Sequence, residues 1–447
     1  MQLLKKISIQ FVLFFLRFGA KVQLLKIKPK IIGIGGSSGK SSLCDLVSLT
    51  LGIKYKVKQG GGKNSETGLP LDILDIAPGE YTIFDWVRII LLVPYRLVFN
   101  WQKYDFYIAE MGIDGPFEPK NMSYLLKIIK PEVAVLTNIS LEHSVYFDFL
   151  VKEQDFKERE EKLLKLIADQ ELMLIKSISK NGTTIINLDD DFIKKSIADI
   201  ESKKITVSSH DNKADFYIQN IKSSLDNFAF QLRNEKNTYS VNINRPLPSH
   251  FAYSIAVSFA IALEFEINTN DVLKILQSSI TLPPGRMSMF KGIKNTTLID
   301  SSYNNATLTP IMDILSFLKS TSNGKRKVAI IGDMRELGTM SKNMHEIVAK
   351  KIAETADLAI LIGPMMGKFA APILKKSKTD FASFENFTSS KDFILKNIKP
   401  NDTILVKSSQ NKLFLERVVE MLLADKKDVG KLCRRGSFWD KKRQESL

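Results

Sequence analysis

Residues 30–42 read Lys30-Ile-Ile-Gly-Ile-Gly-Gly36-Ser-Ser-Gly39-Lys40-Ser-Ser42. The apolar run 31–34 is short and ends in glycines, which predicts a buried strand leading into a tight turn. A helix is predicted to follow over 41–51. A strand that passes through glycines into a helix suits phosphate, because backbone N–H groups can converge on an anion with a helix N-terminus behind them. Gly36, Ser37, Ser38, Gly39, Lys40, Ser41 and Ser42 are therefore the candidate phosphate-binding residues. Lys40 would reach the β- and γ-phosphates and the Ser41 hydroxyl would ligate Mg²⁺. The spacing departs from the usual Walker A motif, since Ile34 stands where that motif has glycine. A glycine turn that binds no phosphate is the alternative. Lys-Ser after the glycine, between a strand and a helix, weighs against it.

Further strands are predicted over 106–109, before Glu110, and over 133–136, before Thr137. A helical stretch between them ends near Ile129, ahead of Pro131. Another strand, 183–186, leads into Asn187-Leu188-Asp189-Asp190-Asp191. Strands alternating with helices predict an α/β fold, a parallel sheet with its functional groups at the strands' carboxyl ends. Residues 203–244 alternate in short runs and predict a small antiparallel sheet, followed by a helix over 250–265. The chain is expected to change domain near Pro283-Pro284-Gly285-Arg286. Strands over 327–331, 358–362 and 403–406 then predict a second, smaller, Rossmann-like open sheet. Met344, Ile347, Val348 and Ile352 mark the apolar face of one of its helices, and Leu415, Val418, Val419 and Leu422 that of the last.

The 447 residues suit two or three domains, and 44% hydrophobic with 25% charged residues is a globular composition. Two cysteines exclude a disulfide framework or a four-thiolate metal site, and point to a reducing cytoplasm. The formal charge of +15 fits anionic small substrates or an acidic membrane surface. No nucleic-acid recognition motif accompanies the scattered lysines, so no nucleic-acid partner is expected. The basic run 426–443 is expected to be a flexible, surface-seeking tail. The apolar stretch 11–15 is far shorter than the roughly 20 residues of a membrane span, with Lys5, Lys6, Arg17 and Lys21 close by. No small-residue cleavage site follows it, which argues against a secretory signal. A second apolar segment, 86–99, is interrupted by Arg88, Pro94 and Arg96. Each segment either lies in a membrane interface or packs as a helix on its domain. A monomer is expected.

Glu110 and His143 follow two predicted strands, where they would hold Mg²⁺ near Lys40 and Ser41. Other motifs succeed one another along the chain: Asn64-Ser65-Glu66-Thr67-Gly68-Leu69-Pro70-Leu71, Glu110-Met111-Gly112 and Thr137-Asn138-Ile139 with His143. Gly285-Arg286-Met287, Asp300-Ser301-Ser302-Tyr303-Asn304 and Gly332-Asp333-Met334-Arg335-Glu336-Leu337-Gly338 come later. With the Gly-x-x-Gly-Lys-Ser loop, this ordered set resembles the Mur ligase family over about residues 30–423. The segment 332–338 is most similar to the family's D-alanyl-D-alanine-adding member.

The resemblance implies ATP-dependent amide synthesis, in which ATP phosphorylates a carboxylate and an amine displaces the phosphate. ATP and Mg²⁺ are the implied cofactors, and a UDP-muramoyl tripeptide and D-alanyl-D-alanine the implied substrates, in peptidoglycan precursor synthesis. Arg286, Asp300, Tyr303 and Asn304 are expected to meet ATP from the C-terminal side, the arginine at phosphate and the aspartate at ribose. Asn64, Asp333 and Lys407 are candidates for the substrate side. ATP is expected between the two large domains, whose closure would exclude water.

The chain departs from the family pattern in three places. Fewer than 35 residues precede the phosphate loop, so an amphipathic helix over 1–29 is expected in place of the domain that grips the UDP-sugar. The remaining divisions expected are 30–284, 285–423 and a tail over 424–447. The family's carbamylated lysine falls at Glu171 counting back from Asn181-Gly182, and near Lys157 counting forward from His143, with Lys162 and Lys165 also open. A glutamate there would supply a permanent carboxylate. Lys407-Ser408-Ser409-Gln410 replaces a Lys-Gly-Ser-Arg pattern, and Phe251 replaces the asparagine expected after His250. Two other readings stay open: another amide ligase of the same fold, of folylpolyglutamate or cyanophycin type, and a non-catalytic nucleotide-binding subunit.

Overall fold

A computed structural model describes residues 2–60, 63–80, 82–303, 308–322, 324–409 and 412–445. The chain forms two compact units. The first comprises Met1–Asn220, Phe230–Val241 and Ala252–Ile280; the second comprises Ile221–Ala229, Asn242–Phe251 and Thr281–Leu447.

The first large sheet holds β1 (Lys30–Gly35), β2 (Val57–Gln59), β3 (Phe106–Glu110), β4 (Val133–Leu136) and β5 (Thr183–Asn187). It continues with β6 (Lys203–Ser208), β7 (Phe216–Ser223), β8 (Phe228–Arg233) and β9 (Thr238–Ile243). The spatial order is β2-β3-β1-β4-β5-β6-β7-β8-β9. β1 runs parallel to β3 on one side and to β4 on the other, with Ile34 opposite Glu110 and Gly35 opposite Leu136. The three strands thus end level, and the residues that follow them share one rim. β1 is buried from Ile31 onward, as a parallel strand covered on both faces must be.

The segment 203–244 differs from the sequence expectation. β6 pairs parallel with β5, Ile205 opposite Ile185, and β7 pairs parallel with β6. Tight turns then join β7 to β8 and β8 to β9, closed by Ser224 N–H to Asn227 O (2.8 Å) and Asn234 N–H to Asn237 O (2.9 Å). The hairpins extend the parallel sheet and do not form a separate one. A strand edge offers unpaired N–H and C=O groups that the next strand satisfies, and short-range alternation does not say which edge is used.

The second sheet contains β10 (Ser288–Gly292), β11 (Thr296–Ser301), β12 (Lys327–Gly332), β13 (Leu358–Ile362), β14 (Asp380–Phe384) and β15 (Thr403–Lys407). Their order is β10-β11-β15-β12-β13-β14, parallel apart from the edge strand β10. Val328, Ile330, Ile360, Ile404 and Val406 pack with Leu415, Val418, Val419 and Leu422 of the Glu416–Leu422 helix region. Each such side chain contributes about 1.5–3 kcal/mol by leaving water.

The basic C-terminal segment is folded, contrary to the expectation of a flexible tail. Leu432 belongs to the same core. Arg434 donates from Nε to Glu416 Oε1 (3.0 Å) and from Nη2 to Glu416 Oε2 (2.7 Å), and both side chains are 0% exposed. Nη2 also donates to Ser302 O (2.9 Å). A helix, Ser437–Glu445, follows. One buried two-pronged ion pair makes a segment of basic composition part of the unit.

At the other end, the Gln2–Ile27 helix places Leu16 in a cluster with Leu71, Leu74, Ile89 and Val93. Ile89 and Val93 lie on a second helix, Ile83–Phe99, whose N-cap Thr82 hydroxyl accepts from Asp85 N–H (3.2 Å) and which accommodates Pro94 in its interior. Among the described residues, no helix is long and apolar enough to cross a membrane.

Candidate active site

β1 hands the chain to Gly36, whose φ is +111°. A Cβ there would lie 2.2 Å from Thr137 Oγ1 and 2.8 Å from Thr137 N, so no side chain fits between the loop and the end of β4. The loop is fastened to that end. Ser37 N–H donates to Asn138 O (2.8 Å), Ser38 N–H to Asn138 Oδ1 (3.0 Å), and Thr137 Oγ1 to Ser38 O (2.6 Å). Ser140 N–H donates to Ser37 Oγ (2.8 Å). Gly36 N–H donates to Glu171 Oε2 (2.9 Å).

This corrects the sequence picture of loop N–H groups converging on an anion. The N–H groups of Gly36, Ser37 and Ser38 are taken by protein oxygens that Thr137-Asn138 and Glu171 place within reach. What faces an anion is the start of the Lys40–Leu51 helix, where the N-cap is Gly39 (φ 82°) and no side chain caps the first turn. Its leading N–H groups and the positive end of the helix dipole are the phosphate-seeking features.

Lys40 Nζ folds over the loop and donates to Gly36 O (2.5 Å) and Ser37 O (3.0 Å). Burial alone would lower its pKa, but Glu142, Glu171, Glu110 and Asp114 outweigh it and raise the pKa, so the ammonium keeps its charge. Glu142 and Asp114 were not singled out from the sequence. Each lies within four residues of a quoted motif residue, and an isolated acid carries no periodic signal.

Glu110 ends β3 and is buried. Its Oε1 accepts from Asn64 Nδ2 (3.1 Å), which places Asn64, a substrate candidate, beside the phosphate loop's neighbour. Its Oε2 is buried with no hydrogen-bond partner among the described residues, and so is Glu142 Oε2. His143 sits half-buried in the left-handed region (φ 60°, ψ 16°), its ring 6.2 Å from that of Tyr146. Among the described residues no three His, Cys, Asp or Glu side chains gather as a complete metal cage. Mg²⁺ commonly takes only one or two carboxylates, with water and phosphate filling the rest. Two orphaned carboxylate oxygens, on acids close enough to act on the Lys40 ammonium, fit that pattern.

The Phe156–Lys176 helix separates the candidates for the carbamylated-lysine position. Lys157, Lys162 and Lys165 are exposed, and Lys162 pairs with Glu153. Leu163, Ile167, Glu171 and Leu174 lie on the buried face, so Glu171 is not on the solvent-facing surface. Burial pushes the Glu171 carboxyl up to about 7, against the pull of Lys40 and the Gly36 N–H.

In the second unit, Gly285 (φ 75°) accepts from Tyr303 N–H through its carbonyl (3.1 Å), and a Cβ at Gly285 would lie 2.7 Å from Tyr303 Cβ. The Arg286 guanidinium stands 5.6 Å from the Tyr303 ring centroid, and its Nε is buried without a partner among the described residues. Asp300 is fully buried: Oδ1 accepts from Ser302 N–H (3.0 Å), Oδ2 has no partner among the described residues, and burial raises its pKa to about 6. Asn304 lies outside the described residues. Two substrate candidates prove to be interior. Asp333 accepts from Met366 N–H (2.8 Å) and Met365 N–H (3.3 Å), so both of its oxygens serve the backbone of its own unit. Lys407 is not an exposed lysine but fully buried at the end of β15, and donates to Ser408 O (3.2 Å).

A strand ending level with its neighbours, a lysine folded over a glycine loop and an uncapped helix behind it make this a nucleotide-binding protein of the phosphate-loop class. Comparison with known proteins carries the assignment further. Residues 34–262 match the Mur ligase middle domain, and residues 285–410 match the glutamate ligase domain of Mur ligases. The chain belongs to the Mur ligase family, whose members are ATP-dependent ligases.

Among its relatives is a UDP-N-acetylmuramoyl-tripeptide–D-alanyl-D-alanine ligase of Bacillus subtilis (strain 168), 25% identical over 409 residues, covering 90% of this chain and 78% of the relative. A ligase of the same name from Buchnera aphidicola subsp. Baizongia pistaciae is 27% identical, covering 88% and 75%. The fold is shared with MurF from Acinetobacter baumannii (TM-score 0.73, 19% identity, 91% of this chain and 79% of that one). It is also shared with MurF ligase from Thermotoga maritima in complex with ADP (TM-score 0.72, 21% identity, 92% and 83%).

Proposed function

We propose that this enzyme joins D-alanyl-D-alanine to UDP-N-acetylmuramoyl-tripeptide in peptidoglycan precursor synthesis. The observation that carries the reading is the group of acids around Lys40 at an uncapped helix N-terminus. The relatives' names supply the substrates. In the first step the γ-phosphoryl group of ATP passes to the tripeptide's terminal carboxylate, leaving ADP and an acyl phosphate. In the second the amine of D-alanyl-D-alanine attacks the acyl carbon, inorganic phosphate leaves, and the amine gives up a proton.

Lys40 and the first-turn N–H groups of its helix hold the transferring phosphoryl charge. Ser41, Glu110 and His143 would hold Mg²⁺, which when bound offsets the negative charge of the phosphates. Glu171 keeps the loop in place through Gly36, and its burial beside the loop, where Lys157, Lys162 and Lys165 are exposed, supports giving it the role that the resemblance assigns to a carbamylated lysine. Arg286, Asp300 and Tyr303 are assigned to ATP, the arginine at phosphate and the aspartate at ribose. Asn64 orients Glu110, while Asp333 and Lys407 support the substrate side from within their unit. In this reading the enzyme is a cytoplasmic monomer in contact with the membrane surface.

The test is phosphate release from ATP with Mg²⁺, the UDP-muramoyl tripeptide and D-alanyl-D-alanine, each omitted in turn, with mass detection of the product. Release that requires every component, with an amide product, is expected. ATP binding with no amide product under any omission would overturn the substrate assignment.

A further inference from the structure

The Gln2–Ile27 and Ile83–Phe99 helices lie side by side in the first unit. A Cβ at Gly19 would sit 2.7 Å from Val93 Cγ1. Farther along, Lys26 Nζ donates to Leu97 O (2.7 Å) and Gln23 Nε2 to Asn100 O (3.0 Å). Gly19 meets Val93 and the stretch 23–26 meets 97–100, so the helices run in the same direction. Their inner faces meet the core through Leu16, Ile89 and Val93.

The outer faces are apolar too. On the first helix Phe11, Phe14, Phe18 and Leu25 are exposed, all on one helical stripe. On the second, Phe84, Val87, Leu91, Tyr95 and Val98 repeat at intervals of three and four, with Phe84 87% and Leu91 69% exposed. At about 100° per residue, each stripe stands about 120° round from the line of contact, in opposite senses on the two helices. For helices running the same way, both stripes then look in one direction. A surface helix ordinarily turns polar residues there, and a contiguous apolar patch marks an interaction site.

Charge selects the occupant. Residues 1–30 carry seven lysines and arginines and no aspartate or glutamate. Residues 83–103 carry Arg88, Arg96 and Lys103 against a single acid, Asp85, which is buried and bonded to Arg88 (2.6 Å). Trp101, exposed just past the second helix, lies under Lys26 Nζ at 4.0 Å. Aromatic and aliphatic side chains flanked by cations match the boundary of an anionic bilayer, where rings sit at headgroup depth and basic residues meet lipid phosphates. A second copy of the chain would set cations against cations.

We propose that the paired outer faces of these two helices dock the protein on an anionic lipid bilayer, lying in its interface and not crossing it. The inference sharpens the membrane contact in the proposed function and rests on that clause alone, not on the ligation chemistry. The test is co-sedimentation of the full chain with phosphatidylglycerol vesicles and, separately, phosphatidylcholine vesicles. Binding to the anionic vesicles is expected, weakening as salt is raised. The double variant Phe84→Ser/Leu91→Ser should lower the vesicle partition coefficient at least about tenfold while its melting temperature stays unchanged. The proposal is overturned by equal binding of wild type and variant, by no binding to anionic vesicles, or by a solution dimer that the same substitutions dissociate. Amide formation in vesicle-free solution is a separate readout, so either result can fail without the other.

Discussion

In its proposed role Glu171 supplies a carboxylate without chemical modification. A carbamate on lysine forms from carbon dioxide and comes off again, whereas a glutamate brings its carboxylate from translation. Amide formation by this chain should therefore be indifferent to added bicarbonate, and Glu171→Ala should lower it by roughly 10–100-fold, the usual effect of removing a supporting group at a metal-assisted site. Recovery of the variant's rate with bicarbonate would move the role back to a lysine. Asp300 makes a different kind of prediction. Its folded pKa, about 6, lies above the ordinary 3.8 because burial disfavours its charge. The folded state thus holds that proton more tightly, and the stability it confers is full below about 3.8 and lost as pH rises through 6. Relative to wild type, Asp300→Asn should gain on the order of 1–3 kcal/mol in nucleotide-free protein between pH 4 and 7. Parallel thermal melts across that range would show it, and a constant gap would refute it. Motifs nominate the loop 36–42, Glu110 and His143 from sequence, and one of two counts from motifs nominates Glu171. Glu142 is not, since its part depends on the fold carrying it to Lys40.

The C-terminal segment illustrates how one contact decides an element. Composition alone makes 426–443 a tail, yet Arg434 is held in the interior by Glu416 and by the carbonyl of Ser302. Removing one partner of a buried ion pair leaves a desolvated charge, at a cost of about 3–5 kcal/mol. Arg434→Leu should destabilise the second unit by that amount in denaturant titration, and a loss below about 1 kcal/mol would mean the segment is only loosely attached. The central strands β1, β3, β4 and β5 are legible because uninterrupted apolar runs and the glycines or polar residues that end them are local signals. Where β6 to β9 attach is not, because alternation reports which face is buried and is silent on which strand lies alongside. The fate of the tail is hidden for the same reason: its anchor, Glu416, lies 18 residues away.

At the scale of the whole chain, the +15 charge is unevenly used. Lys40 is spent on the phosphate loop, Arg434 on an interior pair, and Arg17 and Lys26 stand against the exposed rings of Phe14 and Trp101. Net charge names none of these destinations, which depend on tertiary position. Each unit also encloses one of the chain's two cysteines: Cys44 in the helix behind the phosphate loop, and Cys433 next to Arg434, with both thiols free and buried. Burial pushes the Cys433 thiol up to about 12 and raises Cys44 as well, so neither offers a thiolate to a reagent while its surroundings stay closed. An alkylating probe would thus mark each half only when that half opens. The molecule carries a pair of internal stopwatches, whose two labelling rates time the loosening of its halves separately.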